Sequence, residues 1–231
     1  MNSELETLDV VDGYDRRTRE LERAAAKQRQ AVADATEALS ARNDAAERLR
    51  EALAANKTDQ HAANRKAHLY TQRKESALRI LERGSGDPAA AERQLRQCNT
   101  ILDDTETNQL ELMETQEALE AELDSAAKAI SEAEAELERV GREATIRIER
   151  IDKDLAETAT KRAESWRELD REIQDRYVAL VRRKRTAVAH ITGGACHACQ
   201  RMITAQHLSD LRKGRLTPCR GCHRWLIPPS S

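Results

Sequence analysis

The sequence predicts a mainly α protein, a long antiparallel coiled-coil hairpin that carries a small ribbon at its C-terminal end. Three observations predict it. Small and apolar residues recur with a mean step of about 3.5 along two long stretches, the heptad period of a left-handed supercoil. One strong break, Gly84-Ser85-Gly86-Asp87-Pro88, separates those stretches. Two Cys-x-x-Cys pairs then stand near the end of the chain. Composition agrees: 35% of the residues are charged, 2% are aromatic and Phe is absent. A compact core normally draws on aromatic and β-branched side chains, whereas Ala, Leu, Glu and Arg with little Gly or Pro build long helices. The regular seam argues against disorder despite the high charge.

The first helix is expected from about Glu4 to Arg83. Its seam steps by four and three through Leu21, Ala25, Gln28, Val32, Ala35, Leu39, Arg42, Ala46, Leu49, Leu53 and Asn56, then through Ala63, Ala67, Tyr70 and Leu81. Such an arm is about 120 Å long at ~1.5 Å per residue. Several seam positions are polar, and the many alanines let a partner helix approach closely.

Residues 84–88 read as the hairpin tip. Gly stops a helix by entering left-handed conformations, Asp87 caps the next helix, and Pro88 fits its first turn. The second helix is expected from about Pro88 to about Ala189. Its seam passes Leu95, Cys98, Leu102, Thr105, Gln109, Leu112, Gln116, Leu119, Leu123, Ala126, Ile130, Ala133, Leu137, Val140 and Ala144. The phase then slips by one residue to Ile148, Ile151 and Leu155, beside Gly141, and a bend or irregularity is expected there. Cys98 on the seam reads as a small buried hydrophobe.

Folding the chain at Ser85 leaves about 166–190 without a partner in the first arm. This piece has its own stripe of Trp166, Leu169, Ile173, Tyr177, Leu180 and Val181. It is expected as a helical extension, or as a third helix folded back near the N-terminus. The hairpin domain is thus 1–190. Thr192-Gly193-Gly194 reads as a flexible joint, and 195–231 as the ribbon, with β-like stretches at Met202-Ile203 and Trp225-Leu226-Ile227. Pro228-Pro229-Ser230-Ser231 reads as a tail.

Charge is unevenly spread. The formal net charge is -2, yet from Arg171 onward 12 basic residues face 3 acidic ones. An acidic body with a basic end suggests an anionic partner at that end, nucleic acid first. No apolar run approaches the ~20 residues that span a membrane. No signal peptide is evident, so a cytoplasmic location is expected, where cysteine pairs favour metal over disulfides.

The pattern Cys196-x-x-Cys199 followed by Cys219-x-x-Cys222 is that of a zinc site. Two residues between thiolates make a tight knuckle, and two knuckles complete a tetrahedron. Gly221 is expected to relieve the turn of the second knuckle. All four ligands are protein groups, so the site is closed and structural, and the ribbon is expected to need metal to fold. His197, His207 and His223 read as polar surface residues rather than ligands. Trp225 reads as the ribbon's miniature core rather than a base-stacking platform.

The candidate nucleic-acid-binding residues are Arg182, Arg183, Lys184 and Arg185 before the ribbon, with Arg201, Arg212, Lys213, Arg215, Arg220 and Arg224 within it. No phosphate-binding Gly loop, nucleophile elbow or His-rich cluster is present. Runs such as Glu132-Ala133-Glu134-Ala135-Glu136 are ordinary solvated helix faces.

These features together resemble the bacterial coiled-coil hairpin proteins with a C-terminal C4-type zinc ribbon. The likeness rests on the tip from Gly84 to Pro88, the segment Leu110-Glu111-Leu112-Met113-Glu114, and the ribbon. The ribbon reads Gly194-x-Cys196-x-x-Cys199 and then Cys219-x-Gly221-Cys222-x-Arg224-x-Leu226. This chain departs from many relatives in having Trp225, in finishing Ile227-Pro228-Pro229, and in lacking a Lys at the tip. The resemblance implies a binding protein without enzymatic activity, linked to nucleic acid and in some members to a nitrogen-type sigma factor. The expectation is therefore a zinc-ribbon adaptor. It would bind RNA or DNA through its basic end and a protein partner through the coiled coil. The alternative is a protein–protein adaptor acting on a transcription component without touching nucleic acid.

Overall fold

The computed structural model describes residues 3–84 and 86–228. Ser85 of the expected tip, and Pro229, Ser230 and Ser231 of the expected tail, lie outside the described residues. Four helices, α1 (Ser3–Arg83), α2 (Pro88–Arg167), α3 (Arg171–Lys184) and α4 (Ala205–Arg212), accompany three strands, β1 (Val188–Thr192), β2 (Ala195–Cys196) and β3 (Trp225–Ile227). The long helices α1 and α2 pack against each other. The chain divides into two compact units, one of Met1–Ala31 with Arg142–Ser231 and one of Val32–Gly141.

The unit of Val32–Gly141 is a helical hairpin. Gly84 and Gly86 take φ of 63° and 95°, the left-handed conformations that end α1. Asp87 Oδ1 accepts the Ala89 and Ala90 backbone N–H groups at 3.0 and 3.3 Å, capping α2 before its free donors meet water. Ala46, Ala63, Ala77, Ala91, Cys98 and Ala133 are buried between the helices. Arg42, at a seam position, stays exposed and donates to the Ala38 carbonyl. The middle of the seam is polar. Gln60 Nε2 donates to Asn56 Oδ1, Leu112 O and Gln116 Oε1 at 2.9, 3.2 and 2.8 Å, and Gln109 Nε2 reaches Asn64 Oδ1 at 2.6 Å. These amides satisfy one another, so burying them costs little.

The other unit joins the start of α1 to the end of α2, to α3 and to the three-stranded sheet. The helix α2 runs without interruption through Gly141, so the irregularity expected there is not a break in the helix. Ala144, the last seam residue before the phase slip, is buried; beyond it Ile148, Ile151 and Leu155 are partly buried, and Ile146 is exposed.

The second helix does not reach Ala189, as the sequence suggested. It stops at Arg167, turns through Glu168-Leu169-Asp170, and restarts as α3. Gln174 holds the corner, donating from Nε2 to the Trp166 and Leu169 carbonyls at 2.7 and 3.0 Å. The expected folded-back third helix is therefore α3. It ends at Arg185, whose φ of 67° directs its N–H to the Val181 carbonyl.

Val188–Thr192 is a strand. It pairs antiparallel with β2 and parallel with β3, giving the order β2-β1-β3. Gly193 and Gly194, with φ of 58° and 75°, make the two-residue turn of a β1–β2 hairpin rather than a flexible joint. The sheet shares one core with the helices: Leu5, Leu8 and Val11 of α1 and Tyr177 of α3 meet Val188, Ile191, Leu226 and the buried cysteines.

Two polar ties fix this docking. Asp12, only 3% exposed, accepts the Ala187 backbone N–H at 3.1 Å through Oδ1 and faces Arg16 Nε at 3.3 Å through Oδ2. Tyr177 donates its hydroxyl to Asp15 Oδ2 at 2.8 Å, and Asp15 is ion-paired with Arg162. The Arg162 guanidinium lies over the Trp166 ring, which meets Tyr177 edge-on at 5.4 Å. Burial and the Asp15 hydrogen bond push the Tyr177 hydroxyl far above its ordinary pKa, so it serves as a donor. Among the described residues no helix is long and apolar enough to cross a membrane.

Candidate metal centre

Cys196, Cys199, Cys219 and Cys222 come together, their sulfur atoms all within 4.8 Å of one another. The Cys196–Cys222 and Cys199–Cys219 Sγ separations are 3.8 and 3.6 Å. A tetrahedral ion with metal–sulfur bonds of ~2.3 Å requires sulfur–sulfur edges of about 3.8 Å. A disulfide would need about 2.05 Å. The four thiols therefore fit a four-coordinate metal ion, with no position left for water.

Two copies of one backbone device create the tetrahedron. In the first knuckle the Cys196 N–H donates to the Arg201 carbonyl at 2.9 Å, and the Gln200 N–H returns to the Cys196 carbonyl at 2.8 Å. In the second, the Cys219 N–H donates to the Arg224 carbonyl at 2.8 Å, and the His223 N–H returns to the Cys219 carbonyl at 2.9 Å. Gln200 and His223, each directly after the second cysteine of its pair, both adopt left-handed φ, of 60° and 63°. Each knuckle thus reverses the chain within six residues and turns both sulfurs inward.

Gly221 is needed for closeness rather than for its own φ. A Cβ there would lie 3.1 Å from Cys199 Sγ and 3.1 Å from Arg201 Nε, so a side chain would press on both knuckles and force a shift of a few tenths of an ångström.

Burial pushes the Cys196 thiol up to about 12, against backbone N–H bonds from Cys199 and Ala198. At Cys219 burial also raises the pKa, but N–H groups of Cys222 and Gly221 and the neighbouring sulfurs outweigh it, leaving about 7. For Cys199 the largest influence, a backbone hydrogen bond from Arg201, lowers the value, yet burial and the Cys219 sulfur leave it raised. Clustered thiols resist joint ionisation, and a dication at their centre offsets that repulsion.

Of the other residues singled out in the sequence, His207 is buried and pairs through Nδ1 with Thr204 Oγ1, which caps α4. Trp225 is 2% exposed, inside the shared core, with the Arg176 guanidinium 5.1 Å from its ring centre. It packs and is not displayed for stacking. Met202 forms an isolated bridge with Ala195.

The basic residues are placed unequally. Arg182, Arg183, Lys184, Arg185, Arg201, Arg212, Lys213, Arg215 and Arg220 are exposed. Arg215 is paired with Asp210 at 3.4 Å. Arg224 is partly buried and committed: Nε donates to Thr186 Oγ1 and O at 2.7 and 3.2 Å, and Nη2 to the Lys184 carbonyl at 2.9 Å. Its guanidinium thereby closes the end of α3 and fastens the second knuckle to the Arg182–Arg185 segment.

Neither protein-family models nor curated proteins match this sequence. Solved structures do match its fold. The CT398 protein of Chlamydia trachomatis aligns with a TM-score of 0.84 at 18% identity, covering 97% of each chain. The HP0958 protein of Helicobacter pylori aligns at 0.67 and 15% identity, over 100% of this chain and 99% of that one. A protein of Mycobacterium smegmatis aligns at 0.60 and 18% identity, over 99% and 100%. At these identities the likeness concerns the fold.

Proposed function

We propose that the chain is a zinc-ribbon adaptor without enzymatic activity, binding nucleic acid at its basic end and a protein partner along the hairpin. Soft thiolates in tetrahedral array suit zinc or iron, and a closed set of four cysteines on paired knuckles is the usual structural zinc arrangement. Metal analysis of the purified protein separates the two ions.

One observation carries the nucleic-acid reading. The Arg224 bonds to Lys184 and Thr186 make the exposed Arg182–Arg185 segment continuous with the ribbon and its own exposed cations. A rigid body so charged suits a phosphate backbone, with affinity that falls steeply as salt rises.

The test is a salt titration of metal-loaded protein against labelled single-stranded RNA, single-stranded DNA and duplex DNA. Neutralising Arg212 and Lys213, or Arg182, Arg183 and Lys184, should weaken binding and flatten the salt slope. Unchanged affinity in both variants would remove the nucleic-acid reading. The second reading is a protein–protein adaptor acting on a transcription component such as a sigma factor. The commitment of Arg224 and Arg215 to internal partners favours it, since both are thereby taken from the cation count. A pull-down that survives nuclease would support it.

A further inference from the structure

From the middle of the hairpin we infer a docking groove for a basic amphipathic helix of a partner protein. The inference rests on the proposed adaptor role and gives its protein arm a chemistry. Along α2 the residues Asp103, Glu106, Leu110, Met113, Glu117 and Glu120 follow one another at steps of three and four, forming one stripe beside the seam. Leu110 and Met113 are 57% and 54% exposed. They line a groove of about 330 Å³ with Gln60, Asn64, Glu106 and Gln109.

Leu110 and Met113 lie off the seam, which at this level is itself partly polar. Here the seam combines buried Asn56, Ala63 and Thr105 with the half-buried, hydrogen-bonded amides of Gln60 and Gln116. The apolar pair faces solvent. A groove that sets an exposed apolar pair among polar side chains suits an amphipathic partner helix.

Charge selects the occupant. From Gln97 to Ala127 the chain has nine acidic residues and no Lys or Arg. Carboxylates bracket the apolar pair on its own stripe, Asp103 and Glu106 on one side and Glu117 and Glu120 on the other. Among the described residues no salt bridge engages these four. A helix that buries Leu110 and Met113 must therefore place an apolar patch between two basic ends. An acidic or uncharged helix would leave this rim unmatched, and like charges facing each other cost affinity.

The test uses the full-length, metal-loaded protein and a fluorescein-labelled Leu/Lys peptide of about 18 residues, with Leu at steps of three and four and Lys at both ends. A scrambled peptide of the same composition and a Glu-for-Lys peptide are the controls. The striped peptide should bind about tenfold more tightly than the scrambled one, and Leu110→Ser with Met113→Ser should abolish that preference. Glu106→Gln with Glu117→Gln should weaken the striped peptide and lower its salt dependence. Circular dichroism should show the hairpin intact in both variants. Equal binding of the striped and scrambled peptides, or a preference that survives the double Ser substitution, would overturn the inference. So would sedimentation showing self-association that the double Ser variant loses, since a second copy would then be the occupant. RNA and DNA affinity, measured on the same variants, should not change. Loss of nucleic-acid binding in Arg212 and Lys213 variants with peptide binding intact separates the two sites.

Discussion

Asp12 of α1 accepts the backbone N–H of Ala187 at 3.1 Å, joining the start of the chain to the residue just before β1. The contact lies inside the shared core, where water cannot replace it. Removing the acceptor leaves a buried N–H unpaired, which costs about 1–3 kcal/mol. Asp12→Ala should lower the unfolding free energy of the metal-loaded protein by that amount in denaturant titrations. It should also speed hydrogen exchange at Ala187. A loss no larger than that of an exposed control such as Asp44→Ala would show that the contact contributes nothing to docking.

The same carboxyl predicts a pH dependence. Burial pushes Asp12 above its ordinary 3.8, and the Ala187 N–H, Arg16 and Arg19 counteract this only in part. The folded state thus binds this proton at a higher pH than the unfolded chain does. The group's contribution is greatest at low pH and declines as pH rises from 3.8 through the raised folded value. The stability of the parent chain relative to Asp12→Asn should therefore increase as pH falls from neutral into that window. Comparing the two proteins at each pH cancels the effect of acid on the metal thiolates. A pH-independent difference would mean that Asp12 titrates alike in both states.

Metal removal should dismantle the ribbon while sparing the long helices. An ion bound by the four closely set sulfurs would tie the two knuckles together, whereas the seam of the long helices supplies no ligand. Cys199→Ser or Cys222→Ser should abolish binding of one metal ion per chain and broaden the amide signals of β1, α4 and β3. Helical circular dichroism should fall only slightly. Cobalt in place of the native ion should give the intense absorption of a tetrahedral thiolate site, and its absence would argue against the four-sulfur geometry.

Gly221→Ala should loosen the metal. The added methyl would press on Cys199 Sγ and on the Arg201 side chain at 3.1 Å each. Arg201 can swing aside, but a metal-bound sulfur cannot. Chelator competition should show affinity reduced by about tenfold, the scale on which groups supporting metal ligands act. Gly221→Ala combined with Arg201→Ala should recover only part of it, because the sulfur contact persists.

What the sequence disclosed follows from the range of the forces involved. The seam was legible because burial on a helix repeats locally. Leu21, Ala25, Ala63, Cys98, Ala133 and Ala144 lie at expected positions and are buried. The metal site was legible because each knuckle is a local motif. The strand β1 was not, since Val188-Ala189 reads as the end of a helix and becomes strand only against Trp225–Ile227, far along the chain. The Gly193-Gly194 pair did carry a hairpin signal, two residues suited to positive φ. Helix α4 was not expected, although Thr204 is an N-cap residue type standing directly before it. The polar tie from Asp12 to Ala187 joins residues 175 apart and had no local signature.

Arg224 offers the sharpest separation of structure from binding. Its fork reaches Thr186 Oγ1 and O and the Lys184 carbonyl, acceptors at the exposed end of α3. A lysine keeps the positive charge but offers one compact ammonium, which cannot satisfy acceptors spread over two residues. If Arg224 acts as this clasp, Arg224→Lys should destabilise the metal-loaded protein nearly as much as Arg224→Ala, by about 1–3 kcal/mol. Neutralising Arg212 or Lys213, which are exposed, should leave stability unchanged. If Arg224 instead served chiefly as a phosphate contact, Arg224→Lys would retain both stability and affinity. Paired unfolding and salt-titration measurements on these variants therefore distinguish a residue that builds the basic surface from residues that form its exposed face.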